Sequence, residues 1–204
     1  MRREQRSIHL PAEYRSEGST RTISGYAAVF YRAGDPATEF RMFDDFIERI
    51  HPGAFDAALR DDDVMGLFDH RSDRVLGRRR PGVQNPTMRL SVDERGLRYE
   101  IDLPEAESGL GEQVARGDIT GSSFGFSVMV DWGAKRGRVV WEEVDGVTVR
   151  NIHDLTLIDV GPTVFPAYDG STAEARSAIL ATVPRRFDPL ADRLLLSSAA
   201  LALE

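Results

Sequence analysis

The chain has 204 residues, 41% of them hydrophobic and 29% charged, with a formal net charge of −7 and no cysteine. That length suits one domain with a sizeable core, and the composition is that of a globular protein rather than a disordered one. Without cysteine there is no disulfide, thiolate metal site or cysteine nucleophile, and the acidic balance argues against coating nucleic acid. No apolar run approaches the roughly 20 residues that cross a bilayer. The charged start Met1-Arg2-Arg3-Glu4-Gln5 lacks the apolar segment of a secretory signal.

In chain order, the polar residues 1–20 show no sustained period and are read as a flexible lead-in. Residues 23–31 (Ile-Ser-Gly-Tyr-Ala-Ala-Val-Phe-Tyr) read as a strand. Residues 32–45 read as a loop, and 51–59, with Pro52 near the first turn, as a short helix. Residues 64–70 form an apolar strand that ends in His70. Residues 88–92 and 97–103 alternate on either side of Asp93-Glu94-Arg95-Gly96, the pattern of a hairpin. Residues 105–117 read as a helix, with Leu110 and Val114 four apart and Gly117 at the C-cap.

Strands follow at 122–132, 137–143 and 147–160, joined by turns at Lys135-Arg136-Gly137 and Asp145-Gly146. Residues 173–182 and 188–203 read as helices split by Pro184. The predicted fold class is α+β, mainly β. Residues 21–172 would form an antiparallel β-barrel flanked by a few helices, and 173–204 a helical tail. Leu190, Leu194, Leu195 and Leu201 give that tail an apolar face, for its own barrel or for a partner, such as a second copy in a homodimer.

Period 2 sorts the segment after Gly121 by face. Ser122, Phe124, Phe126, Val128, Val130 and Trp132 fall on the core side; Ser123, Gly125, Ser127 and Met129 fall on the other. Ser123 therefore points away from the core beside a residue with no side chain, which suits an attacking hydroxyl. The plain alternative is a small residue where two strands pass closely. The segment also matches G-x-S-x-G, but a nucleophile elbow needs a strand–turn–helix, whereas Phe124 to Trp132 continues as a strand.

A serine nucleophile needs a base, and the chain has four histidines. His9 lies in the polar lead-in, His51 at a helix start, and His153 mid-strand where a core role suffices. His70 ends a strand, follows Asp69 and opens onto the polar loop Arg71-Ser72-Asp73-Arg74, a place where functional side chains sit on rigid scaffolds. A base histidine works best with an acid on its other nitrogen. In residues 151–160, Asp159 ends an apolar row with Leu155 and Leu157, where an unpaired carboxylate would be costly. Asp154 is the second choice. An arginine partner for Asp159 is the structural alternative.

These residues lie within a wider set of blocks. They are Gly25-Tyr26-Ala27-Ala28-Val29-Phe30, residues 46–55, Leu67-Phe68-Asp69-His70 with Leu76-Gly77-Arg78, Asp93-Glu94-Arg95-Gly96-Leu97, residues 117–126 and residues 159–168. In this order they resemble the tailed-phage prohead (capsid maturation) serine proteases, from about residue 23 to 177. The resemblance implies a barrel similar to herpesvirus assemblin. It also implies a serine endopeptidase acting inside the assembling procapsid in the host bacterial cytoplasm. Its substrates would be scaffold protein and the N-terminal part of the major capsid protein, with self-cleavage.

Family roles carry over as His70 the base, Ser123 the nucleophile and an acid near the end of the last strand. Relatives more often show Glu-Val-Ser where this chain has Asp159-Val160-Gly161. Arg78 is a candidate to hold an oxyanion donor or a water, with a surface cation as its plain alternative. No metal or cofactor is expected, because the histidines lack paired spacing and Asp61-Asp62-Asp63 lacks an EF-hand pattern. The rival readings are a non-enzymatic procapsid assembly protein and a barrel that binds a small ligand.

Overall fold

The computed structural model describes residues 3–128 and 136–165. The polar segment read as a lead-in instead contains two strands, β1 (Glu4–Ile8) and β2 (Glu13–Glu17). Next come β3 (Thr20–Val29), β4 (Phe40–Phe43), β5 (Phe46–Ile50), α1 (Asp56–Asp61), β6 (Val64–Leu67) and β7 (Val75–Arg79). The hairpin is β8 (Met88–Val92) with β9 (Gly96–Asp102), and α2 (Ser108–Ala115) follows it. The chain continues through β10 (Gly121–Ser127), β11 (Arg138–Val144), β12 (Val147–Asp154) and β13 (Thr156–Thr163).

Among the described residues the strands do not close into the expected antiparallel barrel. They lie in three open sheets: β1-β10-β13-β6-β7, β11-β12-β5-β4 and β2-β3-β9-β8. Two pairings are parallel, β12 with β5 and β13 with β6, so two of the sheets are mixed, while β2-β3-β9-β8 is antiparallel throughout. The fold is mainly β with few helices, as the alternation of its segments predicts. Smaller corrections follow the same logic of local pattern against tertiary pairing. The expected loop 32–45 contains β4, the expected helix 51–59 shrinks to α1, and Arg78 and Arg79 lie in β7 rather than a loop. The single strand read over 147–160 is broken at Leu155 into β12 and β13. The end of the strand expected at 122–132 and both tail helices fall outside the described residues.

Strand β10 is buried along its whole length. Its core face carries Phe124 and Phe126, stacked at 5.0 Å, with Phe55 edge-on to Phe124 at 5.7 Å and Phe40 at 6.3 Å. Ser122 shares that face and bonds the buried Tyr99 hydroxyl at 2.9 Å, which meets the need of both polar groups. Removing a fully buried phenylalanine of this cluster would cost about 3–5 kcal/mol.

A buried ionic network joins two of the sheets and explains why a polar segment becomes a strand. Arg6 of β1 bonds both oxygens of Glu48 of β5, at 2.8 and 3.0 Å, and lies 5.3 Å over the Phe126 ring. Arg150 of β12 bonds Glu4 at 2.6 Å and Glu48 at 2.9 Å. Arg6, Glu48 and Arg150 are each 2% exposed or less. The arginines beside Glu4 outweigh the penalty of its burial and hold its carboxyl at about 2, below its ordinary 4.5. Charged side chains so paired can occupy a core face, which hydrophobic periodicity alone does not reveal.

Candidate active site

The centre is built on β10, β13 and the loop after β6, with β1 alongside. Across β1 and β10, Ser7 is paired with Ser123; across β10 and β13, Ser123 is paired with Gly161 and Gly125 with Asp159. The β10–β13 ladder carries a bulge, so that Phe126 opposes Leu157 while Gly125 opposes Asp159. Strict alternation would keep Asp159 on the face of Leu157. The extra residue turns the Asp159 carboxylate onto the face that carries Ser123.

Beyond β6 the chain makes a tight loop in which Phe68 N–H donates to Arg74 O at 3.2 Å. Asp69 and His70 both have positive φ, 55° and 58°. That region is disfavoured for residues with a Cβ, at a cost on the order of 1 kcal/mol each. The conformation is held by Asp69. Its N–H donates to Pro162 O at 3.1 Å, and its carboxylate accepts from the Thr163 hydroxyl and, at 3.4 Å, from Val164 N–H. The loop tip is thereby fastened to β13, and His70 is delivered to the strand pair.

There His70 bridges the two other groups. Its Nε2 lies 2.5 Å from Ser123 Oγ and its Nδ1 lies 2.5 Å from Asp159 Oδ1. Unprotonated Nδ1 that close to a carboxylate would set lone pair against lone pair, so Nδ1 carries the proton and Nε2 is free to accept from Ser123. Asp159 is fully buried, Ser123 is 2% exposed and the His70 side chain 13%. Ser123 Oγ also accepts from the Ser7 hydroxyl at 3.0 Å and lies 2.8 Å from Arg6 O, to which it can donate. The Asp159 side chain reaches Nδ1 because Gly125 leaves room. A Cβ at 125 would overlap the Asp159 carboxylate and stand 2.6 Å from Arg3 Nε. Gly161 has the same character: a Cβ there would overlap Leu67 O, so β13 can pass close to β6.

Of the residues singled out in the sequence, His70, Ser123 and Asp159 are brought together. Asp154 is not: it caps Leu155 N–H at 3.0 Å and pairs with Arg136 at 3.3 Å on the other sheet. Nor is Arg78, whose guanidinium is held by Asp63 at 2.5 and 2.7 Å on an exposed part of β7. His51 bonds Asn151 at 2.7 Å and stacks on His153 at 4.2 Å, where burial, then His51 and Arg138, hold His153 below its ordinary value. Arg3 and Ser7 escaped sequence reasoning because β1 has no apolar alternation to mark it as a strand. Among the described residues no three His, Cys, Asp or Glu side chains gather as a metal site requires. No helix among them is long and apolar enough to cross a membrane.

Residues 7–186 match the model of the caudovirus prohead serine protease family. The chain belongs to that family. No curated protein and no solved structure matched it, so the likeness to assemblin expected from the sequence has no solved fold beneath it. The matched region contains all three members of the Ser123–His70–Asp159 constellation.

Proposed function

We propose that this prohead-protease chain is a serine endopeptidase of capsid maturation. It cleaves scaffold protein and the N-terminal part of the major capsid protein inside the procapsid, and also itself. The observation that carries the reading is His70 standing between Ser123 and Asp159, with one ring nitrogen on each.

In the mechanism this arrangement supports, Ser123 Oγ attacks the scissile carbonyl as His70 Nε2 takes its proton. Asp159 holds the Nδ1 tautomer and stabilises the imidazolium that forms. The tetrahedral intermediate collapses when His70 returns the proton to the leaving amine, leaving an ester on Ser123. Water, deprotonated by the same nitrogen, then cleaves that ester and restores the hydroxyl. Ser7, donating to Oγ, stabilises negative charge there as the proton leaves. Nothing in this scheme calls on Arg78 or Asp154.

Co-expression with the capsid and scaffold proteins of the same phage tests this, comparing wild type with Ser123→Ala by intact mass. Shortened capsid protein with wild type alone supports the endopeptidase. Equal processing by both removes Ser123 from the mechanism. Assembly without processing in either would favour a structural procapsid protein.

A further inference from the structure

Asp159 has two carboxylate oxygens and two different partners. Oδ1 meets His70, and Oδ2 is ion-paired with the guanidinium of Arg3, just before β1. Among the described residues Oδ2 has no hydrogen-bond partner besides this ion pair. The guanidinium sets a fixed positive charge against a carboxylate that has no solvent exposure. A buried charge without a counter-charge is costly, so an arginine here holds the acid in place. The Arg3 side chain is 29% exposed; its Nη2 also lies 2.8 Å from His70 Nδ1, a donor facing a donor when Nδ1 carries the proton, so its attractive contact is the one with Asp159. It lies over Gly125, whose missing side chain admits it. Arg3 precedes the stretch matched by the family, which begins at residue 7.

We propose that Arg3 is a positioning residue of the catalytic centre, acting through Asp159 on the orientation and tautomer of His70. The inference rests on the serine-peptidase reading above. Strand β1 is then more than an edge strand. Its Glu4 and its buried Arg6 anchor it to β5 and β12, and that anchor sets the position of the guanidinium. The arginine alternative to a catalytic role for Asp159, open in the sequence, resolves into both partners at once.

The test uses the full chain and a fluorophosphonate as probe, reading Ser123 modification by intact mass for wild type, Arg3→Gln and Arg3→Lys. A parallel proton NMR experiment reads the downfield His70 Nδ1–H resonance expected from its short bond to Asp159. Labelling of Arg3→Gln should be at least tenfold slower in a chain that still folds, with its melting temperature lowered and the resonance lost; Arg3→Lys should recover part of the labelling rate and of the resonance. Wild-type labelling by Arg3→Gln, or slow labelling with the resonance intact, overturns the proposal. If Arg3→Gln does not fold, Arg3→Lys against wild type decides by the same two readouts. A wild-type chain that resists labelling while its resonance still depends on Arg3 would sink the peptidase reading and with it the catalytic role of Arg3, leaving only a structural contact with Asp159.

Discussion

Gly125 stands directly across the strand pair from Asp159, and the absence of a side chain at 125 is what lets that carboxylate reach His70. The Asp159 carboxylate and the vacant position on the facing strand are steric complements.

Gly125→Ala is therefore expected to displace Asp159 and Arg3 rather than to unfold the chain. Misplacing a catalytic group by about 1 Å can cost around 100-fold in rate. Overpacking of this kind costs about 1–3 kcal/mol in stability. Processing of capsid protein should fall by one to two orders of magnitude, while thermal melting shows a modest decrease. Unchanged processing would mean that the acid relocates without consequence.

Asp159→Asn keeps the shape but loses the charge, and should slow Ser123 acylation by about 10⁴-fold through loss of the correct tautomer. Asp154→Asn and Arg78→Ala lie away from the centre and should stay within twofold of wild type. Acylation rates of the three variants separate the acid that serves the histidine from the second candidate. A reversed order would reassign the triad.

Glu48 is buried between Arg6 and Arg150, so Glu48→Ala leaves two guanidinium groups with Glu4 as the one carboxylate shared between them. Breaking a buried ion pair from one side costs about 3–5 kcal/mol. Chemical denaturation should show a loss of that size, and β1 should be the region whose amide exchange accelerates most. A loss below 1 kcal/mol would show that the network contributes little.

Glu4 adds a pH dependence to that network. Its folded value of about 2 lies below its ordinary 4.5, so its stabilising contribution is present in full above pH 4.5 and is lost as the pH falls towards 2. Unfolding free energy measured from pH 6 to 2 should drop through this window in wild type. In Glu4→Gln the drop should be shallower, and equal slopes would assign the acid sensitivity to other carboxylates.

The sequence by itself singled out the three side chains that the fold brings together, and most of the secondary structure. His70 was legible from the strand end ahead of a polar loop, and Ser123 from the alternation of Phe124 and Phe126 that sets it on the opposite face. The 88–103 hairpin and the helix ending before Gly117 were legible because their patterns are local, a turn between two alternating runs and a four-residue spacing. Strand β1 was not legible, because its buried face is ionic and its partners Glu48 and Arg150 lie far along the chain.

Only the tertiary structure decided which face Asp159 occupies. Alternation assigns it to the row of Leu157, and a bulge against β10 overrides that assignment, a feature that exists only once two strands are paired. The same holds for open sheets in place of a barrel and for Arg3 on the acid. Strand order and register arise from contacts between distant segments, and a periodic pattern says which face is buried but not against what.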